Sequence, residues 1–383
     1  MQGYLAFMAS ATTQSQRIGL RLKAARERAR LTQQQFAAQL GFEHRQTLAS
    51  IEAGERRLSA EELLTAVRLL GTDLDYFTDS FRLVGEGRFS FRAETGVAAN
   101  LLDAFEESAG RWIATYRELG TQQGVEPEWL AHKLALTRQS TFEDAQAAAE
   151  DLGARWKLGE RPAESLQAAI EQQLRTLVLF VDAPAGISGA ASQVPGLNSI
   201  LVNRSEPEGR RNFDLAHELF HLLTWDVMPP DRVESIDVPH GGKGRRIEQL
   251  AENFAAALLM PSATMEARWQ GRDREGDLHD WLNATATDFR VSAKACKWRL
   301  HNLECLSKAD LLDINDQLLV ANGRDTDALP PVRPFSEPFV KRIAAALEAG
   351  RLSVKRTASL LALSVAELAD LLEDYGIEPS FEA

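Results

Sequence analysis

The spacing of apolar residues changes twice along the chain, and each change marks a different kind of element. Up to residue 174, apolar positions recur every three or four residues, which is the period of an amphipathic helix. Between 176 and 203 they form short β-rich runs separated by Pro and Gly, which predicts a small sheet. Helical spacing then returns. We therefore expect an α+β protein that is mostly helical.

Five short helices are predicted in the N-terminal part. The second begins after Thr32, a favourable N-cap, and ends at Gly41, where a turn leads into the third. The third, fourth and fifth helices are expected at 44–52, 59–70 and 74–77. A turn containing glycine between two short helices is typical of a helix-turn-helix domain. We expect a disordered start at 1–16 and a DNA-binding domain at 17–80.

Charge is distributed unevenly along the chain. The formal net charge is −12, which by itself disfavours nucleic-acid binding. Between Arg17 and Arg57, however, the chain contains nine basic residues and only four glutamates. Such asymmetry predicts one basic face, which attracts a polyanion locally while the rest of the protein stays acidic.

The stretches Leu-Thr-Gln-Gln-Gln-Phe-Ala at 31–37 and Ile-Glu-Ala-Gly-Glu-Arg-Arg at 51–57 resemble the XRE or phage-repressor family of DNA-binding domains. The resemblance implies double-stranded operator DNA as a partner, with the third helix in the major groove. The turn at 41–45 is a residue longer than the family spacing, so the register of the base contacts stays open by one position. By position, the resemblance makes Arg45, Gln46, Thr47 and Ser50 candidate base readers and Gln33 and Arg56 candidate backbone contacts.

The region after this domain carries no chemical motif. Residues 82–92, with two glycines, suggest a linker, and 93–142 a helical connector. A capping box at 140–143 predicts the start of a further helix. We interpret these helices as packing elements that could include a homodimer surface.

The strongest chemical signal is His217-Glu218-Leu219-Phe220-His221. Because a helix advances one turn in about 3.6 residues, the two imidazoles project from one face and can bind one metal ion. Glu218 stands beside the first ligand as a general base. This is the H-E-x-x-H pattern of zinc peptidases. A capping box at 205–208 predicts where the helix begins.

A zinc peptidase needs one more protein ligand. The extended pattern with a glycine and a third histidine is absent, because Thr224 and Val227 hold those positions. A second helix, from Ile247 to the proline at 261, places Glu248 and Glu252 four residues apart. Either carboxylate could complete the site.

Together, the first motif and Glu-x-x-Ala-x-x-Phe-Ala-Ala-x-Leu-Leu-Met-Pro at 248–261 resemble the ImmA/IrrE family of zinc metallopeptidases. The likeness covers about 143–305, and we expect the peptidase domain at 143–310. The resemblance implies Zn²⁺ held by His217, His221 and Glu248, with Glu252 as the alternative third ligand. It also implies a protein substrate, because relatives relieve repression by cleaving a repressor.

The rest of the expected site is less sharply defined. The loop before Glu248 offers His240, Lys243 and Arg245 as donors to the oxyanion of the reaction, within an irregular flap at 226–244. An extended peptide substrate could add to the edge of the small sheet. We expect that edge at 187–192.

A linker at 321–334 separates the peptidase from a C-terminal helical domain at 335–383, where Ser336, Ser353 and Ser364 predict three helix starts. Two cysteines suggest neither a disulfide framework nor a thiolate site. Because no apolar run is long enough to span a bilayer and no secretory signal is evident, we expect a cytoplasmic protein without a membrane partner.

These patterns predict a DNA-binding regulator with zinc endopeptidase activity that cleaves a repressor, a partner or itself in a stress or mobile-element response. The alternative is a non-proteolytic repressor or antitoxin with a structural or vestigial metal site. The presence of both histidines, Glu218 and Glu248 favours the peptidase.

Overall fold

The computed structural model describes residues 14–125, 133–235, 244–320 and 332–381. The strands are β1 (Arg88–Ala93), β2 (Leu177–Val181), β3 (Ile187–Val194), β4 (Leu197–Asn203) and β5 (Val233–Ser235). The helices of the first half are α1 (Gln14–Arg28), α2 (Gln33–Gln39), α3 (Arg45–Glu52), α4 (Ala60–Leu70), α5 (Leu74–Thr78), α6 (Ala99–Gln122), α7 (Phe142–Trp156) and α8 (Leu166–Leu174).

The second half continues with α9 (Glu208–Thr224), α10 (Arg245–Leu259), α11 (Ser262–Gln270), α12 (Leu278–Phe289), α13 (Ala293–Asn302), α14 (Lys308–Asp313), α15 (Glu337–Glu348), α16 (Val354–Leu361) and α17 (Val365–Asp374). Helices dominate and the strands form one small sheet, which confirms the predicted fold class. None of the helices in these ranges combines the length and apolar composition that crossing a membrane requires.

The first five helices form a bundle with a core of its own. Leu22, Phe36, Leu48, Ile51 and Phe77 meet at its centre. The Thr32 side chain caps α2 as expected, because it accepts from the backbone amide of the residue three positions on. The turn after α2 passes through a glycine at φ 80°, a backbone conformation that favours glycine. The first helix begins at Gln14, inside the segment that we expected to be disordered.

The helical bundle is joined to the rest of the protein by buried ion pairs. The Glu86 carboxylate, which is fully buried, lies 3.4 Å from the Arg21 guanidinium of α1 and 2.8 Å from the Arg117 guanidinium of α6. A more exposed pair, Arg17 with Glu118, also joins these two helices at 3.6 Å. Because both oxygens of Glu86 face a cation, the buried charge is compensated. Helix α6 is thus the element on which the bundle docks.

The sheet has the strand order β2-β4-β3-β1-β5. The strand β3 pairs antiparallel with both neighbours, whereas β2 runs parallel to β4 and β5 runs parallel to β1. Two expectations were wrong here. Residues 88–93 form a strand inside the sheet instead of part of a linker, and the segment 187–192 lies within β3, which is internal. Among the described residues, the edge strands are β2 and β5.

The two faces of the sheet are covered by different helices. On one face, Val178, Ile200 and Val202 pack in a core with α7, α9 and α10. On the other face, Leu179 and Leu201 pack in a core with α6 and the C-terminal helices. The starts of α15, α16 and α17 after Ser336, Ser353 and Ser364 are confirmed. We expected a separate C-terminal domain from residue 335 onward. The last three helices instead belong to the same core as α6 and the second face of the sheet.

Close backbone contact positions the start of α9. A Cβ added at Gly209 would lie 2.6 Å from the carbonyl carbon of Val291 and 2.7 Å from the amide nitrogen of Ser292. Both atoms belong to the backbone, so neither can rotate away. At Gly153 of α7, in contrast, an added Cβ would meet only two leucine methyl groups, at 3.6 and 4.0 Å.

We expect Gly209→Ala to lower the free energy of unfolding by about 1–3 kcal/mol, because overpacking forces two backbones apart. The matched variant Gly153→Ala should raise it by about 0.5–1 kcal/mol, because alanine is the better helix former and has room. Urea denaturation of both variants checks the two signs. Equal effects from the two variants would contradict the packing argument.

Candidate functional site

The candidate site is organised by α9, which is buried on all sides from Asp214 onward. The helix begins after Pro207 without a side-chain cap, so the capping box that we expected at 205–208 does not form. His217 and His221 are both fully buried, and their Nε2 atoms lie 3.0 Å apart. Two nitrogens that bind one tetrahedral zinc ion at ordinary bond lengths are about 3.3 Å apart. The imidazoles therefore converge as a shared cation would require.

Glu248 lies in the first turn of α10, which packs directly against α9. The small buried side chains of Ala251 and Ala255 let the two helices approach closely. Glu248 Oε2 is 3.2 Å from His217 Nε2, and Glu248 Oε1 is 3.6 Å from His221 Nε2. One turn further along, Glu252 is exposed and does not join the cluster of converging donor atoms.

A second carboxylate enters from β5, within the segment that we expected to be an irregular flap. Glu234 Oε2 lies 2.9 Å from His221 Nε2, and the residue is 7% exposed. The donor atoms of His217, His221, Glu234 and Glu248 all lie within 4.8 Å of one another. Sequence reasoning missed Glu234. The only local signal was the Val-Glu-Ser-Ile run at 233–236, whose alternation of apolar and polar residues suits a short strand.

Glu218 lies next to this cluster, and no described residue forms a hydrogen bond with its carboxylate. Both of its carboxylate oxygens are buried without a hydrogen bond. Burial raises the pKa of Glu218 to about 8. Gly189 of β3 lies beside Glu218. A Cβ added at this glycine would lie 3.8 Å from Glu218 Oε1, so the glycine leaves space next to the carboxylate. A buried carboxyl with this pKa can both accept and release a proton near neutral pH.

Arg92 of β1 contacts two side chains of α9 behind the cluster. The sequence did not predict a role for this residue. Its guanidinium lies 2.7 Å from His217 Nδ1 and 3.0 Å from Asp214 Oδ1. A guanidinium can only donate, so Nδ1 accepts and the proton of the neutral ring sits on Nε2, facing Glu248. Burial and the Arg92 charge lower the pKa of His217 to about 3, which keeps this ring neutral. A cation that binds through Nε2 must displace that proton.

His221 lies in an electrostatic environment opposite to that of His217, because a carboxylate and not a guanidinium is next to it. Burial alone would lower the pKa of His221, but the Glu234 carboxylate beside it raises that pKa to about 9. Burial also raises the pKa of Glu234, to about 7, against the opposing effect of His221. The close imidazole and carboxylate pair therefore holds its protons tightly. Ligand groups must be deprotonated to bind a metal, so protons and a cation compete for these atoms.

Two imidazoles and two carboxylates are a donor set that suits a divalent cation such as zinc. The unpartnered oxygens of Glu218 supply the further polar group that a hydrolytic site needs. The residues present therefore fit a metal ion. Of the expected oxyanion donors, His240 and Lys243 lie outside the described residues, and Arg245 is exposed at the start of α10.

The candidate DNA-binding side chains lie on and around α3. Arg45 and Gln46 are exposed in its first turn, whereas Thr47 and Ser50 are half-buried, and the Ser50 hydroxyl donates to the Thr47 carbonyl at 2.9 Å. Other candidates are also engaged within the protein. Gln33 donates to Glu52 at 2.8 Å and accepts from Arg45 at 3.4 Å, and Arg56 pairs with Glu62 at 2.8 Å.

Two family models match this chain. Residues 171–301 match the peptidase M78 family, described as an IrrE N-terminal-like domain, and residues 22–77 match the helix-turn-helix family. These matches confirm the predicted combination of domains. The comparison with curated proteins gave no match.

Among solved structures, the chain is similar to the apo form of the competence regulator ComR from Streptococcus vestibularis, with 12% identity and a TM-score of 0.17 over 95% of both chains. It is also similar to the PrgX/iCF10 complex, with 11% identity and a TM-score of 0.16 over 96% of this chain and 99% of that chain.

Substitution of the two acids on α10 distinguishes the alternative third ligands. We expect Glu248→Gln to weaken metal binding at least about tenfold, because it removes an anionic donor from the cluster. Glu252→Gln removes the same charge from the same helix and should retain the wild-type metal content. Metal analysis after dialysis against a weak chelator measures both. Loss of metal from Glu252→Gln alone would assign the ligand to Glu252 instead.

Proposed function

Because the chain joins a helix-turn-helix domain to an IrrE-like peptidase-family domain, we propose that it is a DNA-binding transcriptional regulator with zinc-dependent endopeptidase activity. The single observation that carries this proposal is the convergence of His217, His221 and Glu248 beside the unpartnered Glu218 carboxylate. In this proposal the DNA-binding domain spans 17–80 and the peptidase domain 143–310.

His217, His221 and Glu248 are the residues that would hold the zinc ion. A zinc ion at this position would polarise a peptide carbonyl and lower the pKa of a water molecule. Glu218 takes a proton from the water that attacks the carbonyl carbon and delivers it to the leaving amine nitrogen. The raised pKa of Glu218 suits both halves of this transfer. Arg92 orients His217 through Nδ1, on the side of the ring opposite the Nε2 atom that faces the cluster.

The proposed substrate is a repressor or another partner protein, or the chain itself. Fusion to a DNA-binding domain supports this choice, because it would bring the peptidase to the promoter where such a repressor is bound. Cleavage there would relieve repression, as the resemblance to the ImmA/IrrE family implies. A stress or mobile-element response is the setting in which we propose this occurs.

For DNA binding, we propose that α3 enters the major groove and that Arg45 and Gln46 read base edges, because both are exposed at its first turn. Thr47 and Ser50 lie further along the same helix and are proposed as secondary base contacts. Gln33 and Arg56 are proposed to contact phosphates. Each of them must then share or exchange its present carboxylate partner.

A second function is favoured by one observation. Glu234 gives the site a fourth protein donor, and zinc sites with four protein donors are usually structural. A non-proteolytic repressor or antitoxin with such a closed site is therefore the second candidate. It shares every DNA-binding property with the first and differs from it in lacking proteolysis.

Proteolysis separates the two candidates. We expect the wild-type chain to cleave a repressor that is expressed with it and bound to the same promoter, and Glu218→Gln to abolish cleavage while keeping about one zinc per chain. Immunoblotting of the repressor and of the chain itself, with metal analysis of both purified forms, measures this. An intact repressor and an uncut chain in the presence of bound wild-type protein would favour the non-proteolytic candidate.

The DNA contacts are tested by binding to the protein's own promoter fragment. We expect Arg45→Ala to weaken binding by about 10–100-fold, because a base contact contributes about 1–3 kcal/mol. Arg138→Ala removes the same charge from an exposed residue outside the helix-turn-helix match and should leave binding unchanged. Fluorescence anisotropy at several salt concentrations measures both affinity and its salt dependence. Equal affinities for Arg45→Ala and wild type would contradict the assignment of α3.

A further inference from the structure

The strand β5 occupies the edge of the sheet next to the metal cluster. It pairs parallel with β1, and the register aligns Glu234 with Arg92. Aligned residues on adjacent strands point to the same face of a sheet, and Arg92 reaches His217 on that face. Glu234 therefore reaches the cluster because β5 is in place. An extended peptide that joined the sheet along β1 would need the same position.

In the part of the chain that the structure describes, β5 is held by its pairing with β1, by the contact of Glu234 with His221 and by the following interactions. The carbonyl of Arg232 accepts from the amide of Phe91 at 2.9 Å, and the carbonyl of Asp231 accepts from the Ser90 hydroxyl at 2.8 Å. The Arg232 side chain, 48% exposed, pairs with Glu106 of α6 at 2.8 Å and with Asp103. Exposed ion pairs contribute only about 0–1 kcal/mol each. The buried contact of Glu234 with His221 at 2.9 Å is therefore the main interaction that a displacing strand must offset.

We propose that Glu234 is a fourth protein ligand of the metal site and that β5 keeps the peptidase closed until a substrate strand displaces it. With four protein donors, zinc reaches its preferred coordination number and no position is left for water. Displacement of β5 withdraws Glu234 and frees the outer edge of β1 at the same time. The ligand assignment stands on the four converging donors alone, whereas the closure of a peptidase rests on the proposed function.

The ligand assignment is tested with cobalt, whose visible absorption reports coordination number and geometry. The full-length chain is loaded with Co²⁺ as wild type, Glu234→Ala and Val233→Ala. The last variant is the matched control, because Val233 lies on the same strand with its side chain 41% exposed. Each protein is then titrated with acetohydroxamate, a small ligand that binds an open metal position.

We expect the wild type and Val233→Ala to show the spectrum of a closed four-coordinate site that responds only at high acetohydroxamate concentration. Glu234→Ala should bind acetohydroxamate at least about tenfold more tightly and Co²⁺ at least about tenfold more weakly, because one anionic donor is lost. Equal responses of the wild type and Glu234→Ala would overturn the assignment.

The variant Arg232→Ala tests whether loosening β5, without removal of the Glu234 carboxylate, is enough to open the metal site. It keeps Glu234 but removes the ion pairs to α6, so we expect acetohydroxamate affinity between those of the wild type and Glu234→Ala. A repressor cleavage assay on the same proteins should then show faster cleavage by Arg232→Ala. If the spectra change as expected but no protein cleaves, the ligand assignment holds and the proposed function fails. If Arg232→Ala matches the wild type in both assays, β5 does not control access.

Discussion

The structure around the candidate site depends on one electrostatic constraint, which is the burial of two imidazoles and several carboxylates in contact with each other. Burial raises the pKa of Glu218 and Glu234, and it would lower that of His221 if Glu234 were not beside it. Groups that disfavour their charged forms so strongly need a compensating partner. A divalent cation supplies such compensation, because burial withdraws most of these groups from water.

Close helix packing makes this convergence possible. Ala251 and Ala255 bring α10 to within reach of α9, and the sheet behind them presents Arg92 and Glu234 from two neighbouring strands. The donors therefore come from two helices and one strand. Their relative positions are maintained by the core that fills the space between the sheet and α7, α9 and α10. Precision at the site is a property of this packing and not of the motif alone.

Helix α6 connects the two candidate sites. Near its start, Asp103 and Glu106 pair with Arg232 beside β5, and near its end Arg117 and Glu118 take part in the ion pairs that hold the DNA-binding bundle. The pair near the end includes a fully buried carboxylate, whereas the pairs near the start are exposed. The helix-turn-helix bundle and the strand beside the candidate metal cluster thus both form ion pairs with the same helix.

The sequence by itself determined the features that depend on neighbours along the chain. Helical periodicity places His217 and His221 on one face, and local capping predicts the starts of α2, α16 and α17, because both effects act within a few residues. Tertiary structure alone decided which carboxylates meet those imidazoles. Arg92 lies 125 residues before His217, and the pairing of β1 within the sheet brings the two residues together. No local sequence pattern predicts the order of the strands in this sheet. Strand pairing depends on contacts between distant segments, so the edge position of β5 and the approach of Glu234 emerge only when the chain is folded.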